Sequence, residues 1–155
     1  MSEHFSVEEL TFSETAARLG LSNEPDELVL ANLRKLSVEL LEPIRAHLSE
    51  RRGREVPVIV SSGYRSPAVN VAVGGSKTSD HMLGLAADIR AVGFSPRELA
   101  TEIASIAHRL PLRQLILEFE RWCHVSHGGE LPKRQILTAS RVDGRTVYSS
   151  TESFV

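Results

Sequence analysis

Leu33, Leu36, Leu40, Ile44 and Leu48 recur at helical spacing, and the pattern predicts one long amphipathic helix from Pro25 to about Glu50. Ser22, Asn23 and a proline suited to a first turn precede it. Pro43 falls inside the pattern and should kink or split the helix, because proline removes a backbone donor and clashes with the preceding turn. A shorter helical segment is predicted over 13–18, ending at Gly20, and another over 66–73. From Ser95, SPRELATEIASIA opens with a capping serine, a proline at the first helical position and Glu98 three residues after the cap, which predicts a further helix.

The strand pattern is different. VPVIVSS at 56–62 is rich in β-branched residues and reads as a buried strand running into the glycine turn of SSGYRSP, which should deliver Tyr64 and Arg65 to a rim. In LAADIRA, 85–91, Leu85, Ala87, Ile89 and Ala91 alternate with Ala86, Asp88 and Arg90, so Asp88 faces away from the core. QLILEF at 114–119, WCHVS at 122–126, RQILTA at 134–139 and RTVYS at 145–149 read as four more strands. GGSKTSD at 74–80 has loop chemistry. Helices first and hairpin-linked strands later predict an α+β fold, a largely antiparallel sheet with helices packed on one face and the other face free for a site.

Composition narrows the function more than the fold. At 155 residues, the chain is expected to be one domain, 1–155, and its 41% hydrophobic and 25% charged residues are those of an ordinary globular protein. A formal net charge of -2 gives no electrostatic reason to expect a nucleic acid partner. No apolar run approaches the ~18 residues of a bilayer span, so membrane insertion is not expected, and the N-terminal MSEHFSVEEL lacks a basic stretch followed by an apolar run. The single cysteine, Cys123, excludes both a disulfide framework and a cysteine-rich zinc site, so any metal must rely on histidine and carboxylate.

SDHMLGLAAD, 79–88, places His81 and Asp88 seven positions apart around a glycine. A third ligand emerges if LILEF and WCHVS pair as a hairpin whose connection is Glu120, Arg121 and Trp122. Leu117 then faces Val125, Phe119 faces Cys123, and Glu118 faces His124 on the open side. A two-residue connection would mix the apolar and polar faces, although the three-residue one lacks the glycine such turns favour. Asp88 and His124 would project from the uncovered face, with His81 reaching in from its loop. Two imidazoles and a carboxylate are a usual ligand set for one catalytic Zn2+, which keeps a fourth position for water and lowers that water's pKa to about 7. Glu118 would serve as the general base, and Arg65 would hold a substrate carboxylate or stabilise a developing oxyanion. The native metal can be zinc or another divalent ion on these arguments.

These residues resemble a known family. SGYRSPAVNVAVGGSKTSDHMLGLAADI with LILEFERWCHVS downstream strongly resembles the zinc D-Ala-D-Ala carboxypeptidases, peptidoglycan peptidases that share a fold with the Hedgehog signalling domain. The likeness extends through FSVEELTFSETAARLGL and the helix ending LLEPIR, and its core pattern is S-x-H-x(6)-D with a later W-x-H. It implies metal ligands at His81, Asp88 and His124 and a catalytic carboxylate upstream of the last ligand. In some relatives that carboxylate stands three residues before the final histidine, which is Arg121 here. The Hedgehog-like arrangement places it six before, at Glu118, with Glu120 as the rival. Arg65 matches the family's substrate-binding and carbonyl-polarising arginine, and Ser79 and Tyr64 match positions lining the cleft.

The resemblance implies cleavage of peptidoglycan peptides, either between two D-alanines or at an L-Ala/D-Glu type bond, with specificity set by the loops around 74–80 and 127–133. A phage lysis enzyme released by a hole-forming partner protein fits a chain without a leader or wall-binding module. The rival reading is a zinc-containing binding module of Hedgehog-like type, which would have no chemical need for both Glu118 and Arg65. Cys123 is expected to be a buried small hydrophobe, Trp122 either a cleft wall or a packing residue, and His4, His47, His108 and His127 solvated. The charge-dense SERRGRE at 49–55 reads as a solvated loop.

Overall fold

Ser6, Ser13, Asp26, Ser66 and Ser95 each accept the backbone N–H of the residue three further on, so side chains visible in the sequence fix where five helices begin. The computed structural model describes residues 1–128 and 134–154; most of the 127–133 loop named above lies outside the described residues. The caps start α1 (Val7–Thr11), α2 (Glu14–Leu19), α3 (Glu27–Lys35), α5 (Pro67–Ala72) and α6 (Pro96–Ile106). Ser95 and Glu98 complete the reciprocal capping box expected for α6. Gly20 closes α2 in the left-handed conformation, at φ 64°. α1 was not anticipated, because five residues with only Leu10 buried are too few to show a period.

The long predicted helix is present but resolves its proline in an unexpected way. α3 passes into a π-helical segment, Leu36–Leu41, and then into α4 (Glu42–Arg52), with Pro43 in the first turn of α4. The widened turn directly before Pro43 accommodates a residue that cannot donate to the preceding ladder. Leu36, Leu40 and Leu41 are all fully buried there. α4 runs through Arg52 to a left-handed Gly53, so 49–52 belong to a helix and not to the loop read from SERRGRE. Its charges are tied down by Arg45–Glu55, Arg51–Glu102 and Arg52 to the Gly93 carbonyl.

Six strands follow: β1 (Val58–Ser62), β2 (Ala86–Ala91), β3 (Leu112–Glu118), β4 (Trp122–His127), β5 (Gln135–Val142) and β6 (Arg145–Ser150). They form one sheet in the order β1-β2-β4-β3-β5-β6. The molecule is α+β, and the sheet is mixed. β5 does not hairpin onto β4, whose two edges are already taken by β2 and β3, and adds instead to the free edge of β3 in parallel. The remaining pairings are antiparallel.

Ala87, Ile89 and Ala91 of β2, Leu115 and Leu117 of β3, and Cys123 and Val125 of β4 join one core with Leu33, Leu36, Leu40, Ile44, Leu48, Leu99 and Ile103 from the helices. The period of two therefore assigns the opposite face of the sheet to Asp88, Glu118 and His124. Burying a leucine of this set stabilises the fold by roughly 1.5–3 kcal/mol. Among the described residues, no helix is long and apolar enough to cross a membrane.

The β3–β4 hairpin differs from its predicted register. Leu117 pairs with Cys123, Glu118 with Trp122 and Ile116 with His124, so the connection is Phe119, Glu120 and Arg121. The chain turns one residue early because Phe119 and Glu120 adopt left-handed conformations, at φ 53° and 57°. The slip is two residues, an even number, and each side chain keeps its expected face. Glu118 is thus diagonal to His124 and not opposite it.

Candidate active site

β2 and β4 bring two of the expected ligands together directly, since Asp88 is the register partner of His124. His81 comes from a short 3-10 turn, Asp80–Leu83, whose start is capped by Ser79 accepting the His81 N–H. Gly84 ends the turn at φ 69°, and a Cβ there would meet the Val29 carbonyl oxygen at 2.9 Å. Only glycine lets the turn lie that close to α3. Asp80 is buried and ion-paired with Arg113 of β3 at 2.8 Å, which anchors the turn to the sheet.

The three potential ligand atoms converge. His124 Nδ1 lies 3.0 Å from Asp88 Oδ1, His81 Nε2 lies 3.3 Å from the same oxygen, and the two imidazole nitrogens are 3.2 Å apart. Tetrahedral zinc with bonds of ~2.0–2.2 Å holds its ligand atoms roughly 3.3–3.6 Å apart, within a few tenths of an ångström of this triangle. The donor chemistry fits as well. His81 Nδ1 donates to the Gly63 carbonyl oxygen at 2.7 Å, so Nε2 carries the free lone pair facing Asp88 and His124. Burial lowers the His81 pKa despite the opposing charge of Asp88, which favours the neutral imidazole that a metal needs. For Asp88, burial alone would raise the pKa, but the two imidazoles beside it outweigh burial and hold the carboxyl well below the usual range. Among the described residues, His81, Asp88 and His124 form a group that could hold a metal ion.

Two further charged groups share this environment. Burial raises the Glu118 pKa, the charge of Asp88 raises it further, and His124 and Arg65 oppose that shift. Burial lowers the Arg65 pKa while Asp88 and Glu118 raise it, and its Nε is buried with no hydrogen-bond partner among the described residues. Glu118 and Arg65 therefore act electrostatically on the same carboxylate. Glu120, by contrast, sits in the turn, exposed and ion-paired with Arg97.

Other residues fall elsewhere. Tyr64 is packed in the core at 6% exposure, not on a rim, because its N–H donates to the Leu10 carbonyl and draws the chain inward. The charge its phenol senses is that of Asp26. Trp122 packs edge-on against Phe119. Cys123 is fully buried, and burial pushes its thiol pKa up. His127 is on the helix side of the sheet, as its parity requires, but it is buried and paired with Glu39 of the π segment at 2.7 Å, so the expectation of solvation is corrected. His47 is half-buried against Glu102, His4 bonds Glu42, and His108 is exposed.

The sequence marked Gly63 only as a turn glycine, because its contribution to the site is a backbone carbonyl. A Cβ on Gly63 would meet the Leu10 carbonyl oxygen at 2.2 Å, a close approach that calls for glycine there.

Residues 3–126 match the family model Peptidase M15, and the chain belongs to that family. Its members are zinc peptidases of the D-Ala-D-Ala carboxypeptidase class, which makes this protein a zinc metallopeptidase by family. A comparison with curated proteins finds no match.

Proposed function

We propose that the protein hydrolyses peptidoglycan stem peptides, either between two D-alanines or at an L-Ala/D-Glu type bond, in a cleft on the open face of the sheet. The observation that carries this reading is the 3.0–3.3 Å triangle of His81, Asp88 and His124 donor atoms with Glu118 and Arg65 acting on the same carboxylate. Bound there, zinc supplies a Lewis acid that polarises the scissile carbonyl and activates water near neutral pH. Glu118 takes a proton at its carboxylate from the attacking water and passes it to the leaving amine nitrogen. Arg65 donates to the substrate carbonyl or carboxylate oxygen, where a half-buried guanidinium acts more strongly than in water. The Gly63 carbonyl fixes the ring of His81 throughout.

Membership of a peptidase family and the presence of both a base and an arginine favour catalysis over a pure binding role. The test is metal analysis of the purified protein together with muropeptide digestion, with and without chelator. About one zinc per chain and chelator-sensitive release of D-alanine or a stem fragment are expected. Zinc at that stoichiometry without cleavage of any wall peptide would overturn the enzymatic reading.

A further inference from the structure

The family match ends at residue 126, two positions after His124, so β5 and β6 lie beyond it. They nevertheless continue the face that carries the candidate site. Glu118 is the register partner of Ala139 in β5, and Ala139 is the partner of Tyr148 in β6. The adjacent row runs Asp88, His124, Ile116, Leu137 and Ser150. One row thus leads from the candidate base across a buried alanine to a tyrosine, and the other leads from two potential metal ligands across apolar side chains.

The dimensions matter. Glu118 and Tyr148 are two strand spacings apart, roughly 10 Å, which is about three residues of an extended chain. Ala139, buried between them, contributes only a methyl group. Tyr148 is 56% exposed, and among the described residues nothing hydrogen-bonds its hydroxyl. Burial raises its pKa, and the charges of Glu118 and Asp88 raise it further, so the phenol keeps its proton and remains a donor beside the site. Tyr148 is half-open to solvent, so its presence is not explained by packing the core.

We propose that Tyr148 is a substrate-positioning residue, whose hydroxyl donates to a backbone carbonyl or carboxylate of a peptide segment running from Glu118 towards β6, making β5–β6 a binding extension of the cleft. This rests on the peptidase reading above. An extended dipeptide of about 7 Å falls short of the roughly 10 Å backbone spacing between Glu118 and Tyr148, whereas a stem pentapeptide exceeds it.

The experiment compares Tyr148→Phe and Tyr148→Ala with the wild type, each zinc-loaded, on D-Ala-D-Ala and on a stem pentapeptide. Both variants should raise KM for the pentapeptide about tenfold, the equivalent of one hydrogen bond of ~1.4 kcal/mol. kcat, zinc content and melting temperature should stay close to wild type, which separates positioning from a structural role. Dipeptide kinetics should not change. An unchanged pentapeptide KM, or an equal loss on both substrates, would overturn the proposal. Calorimetric binding of the pentapeptide provides a readout that does not need turnover, and equal affinity for wild type and Tyr148→Phe would overturn it too. A wild type that neither binds nor cleaves the pentapeptide refutes the peptidoglycan reading itself and this inference with it. Cleavage by the wild type with no effect at Tyr148 refutes the inference alone.

Discussion

Glu118 combines a functional demand with a cost in stability. To accept a proton it must be ionised, yet burial and the neighbouring Asp88 raise its pKa above the ordinary 4.5. In the folded zinc-free protein, Glu118 binds its proton more tightly than in the unfolded chain. Its favourable contribution to stability is then present below about pH 4.5 and lost as pH rises through the raised value. Glu118→Gln should retain zinc, lower kcat by about 10²–10⁴-fold, and leave the zinc-free protein more stable than wild type at neutral pH. Paired melts at pH 4 and 7 check the last point, because the gap should open only at the higher pH. Gly63→Ala addresses the other side of the site. Its Cβ would force the carbonyl away from His81 Nδ1, so zinc affinity should fall about 10–100-fold, measured by competition with a chelating dye. The candidate ligand residues were legible in SDHMLGLAAD and WCHVS because metal chemistry restricts side-chain type; the Gly63 contact was not, because any residue has a carbonyl.

At the scale of elements, the β3–β4 turn holds two non-glycine residues in the left-handed region, each at a cost of order 1–3 kcal/mol. Glu120 is exposed, and an exposed ion pair such as its contact with Arg97 contributes little. Glu120→Gly should stabilise the protein by up to ~1 kcal/mol, the relieved strain being offset in part by the flexibility glycine adds to the unfolded chain. Turnover should persist, since Glu118 is the proposed base; chemical denaturation and a muropeptide assay on the same preparation read both. The element boundaries followed from caps and periodicity, as at Ser95 and Gly20. Register was less legible. Alternation identifies which face a residue occupies but not which even-numbered slip the turn selects, and that choice was made by Phe119 and Glu120. The π segment before Pro43 was equally hidden, because the sequence shows that a helix must adjust at proline but not which widening the core will accept.

For the molecule as a whole, the candidate metal site joins segments far apart in the chain, and zinc binding should be linked to global stability. At a free zinc concentration 100 times Kd, stabilisation of about 2.7 kcal/mol is expected, seen as a rise in melting temperature that chelator reverses. Asp88→Ala should abolish the rise; an undiminished shift in that variant would mean that zinc is held elsewhere. The sequence by itself determined the α+β class, the side chains able to ligate a metal, and the face each occupies, because propensity, alternation and donor chemistry are properties of residues and near neighbours. Only the tertiary structure decided that β5 would join β3 in parallel, that Tyr148 would stand on the same face as Glu118, and that His81 would be oriented by Gly63. Those outcomes depend on which strand edge is left free and which backbone atoms meet across distant segments, and no local pattern encodes either.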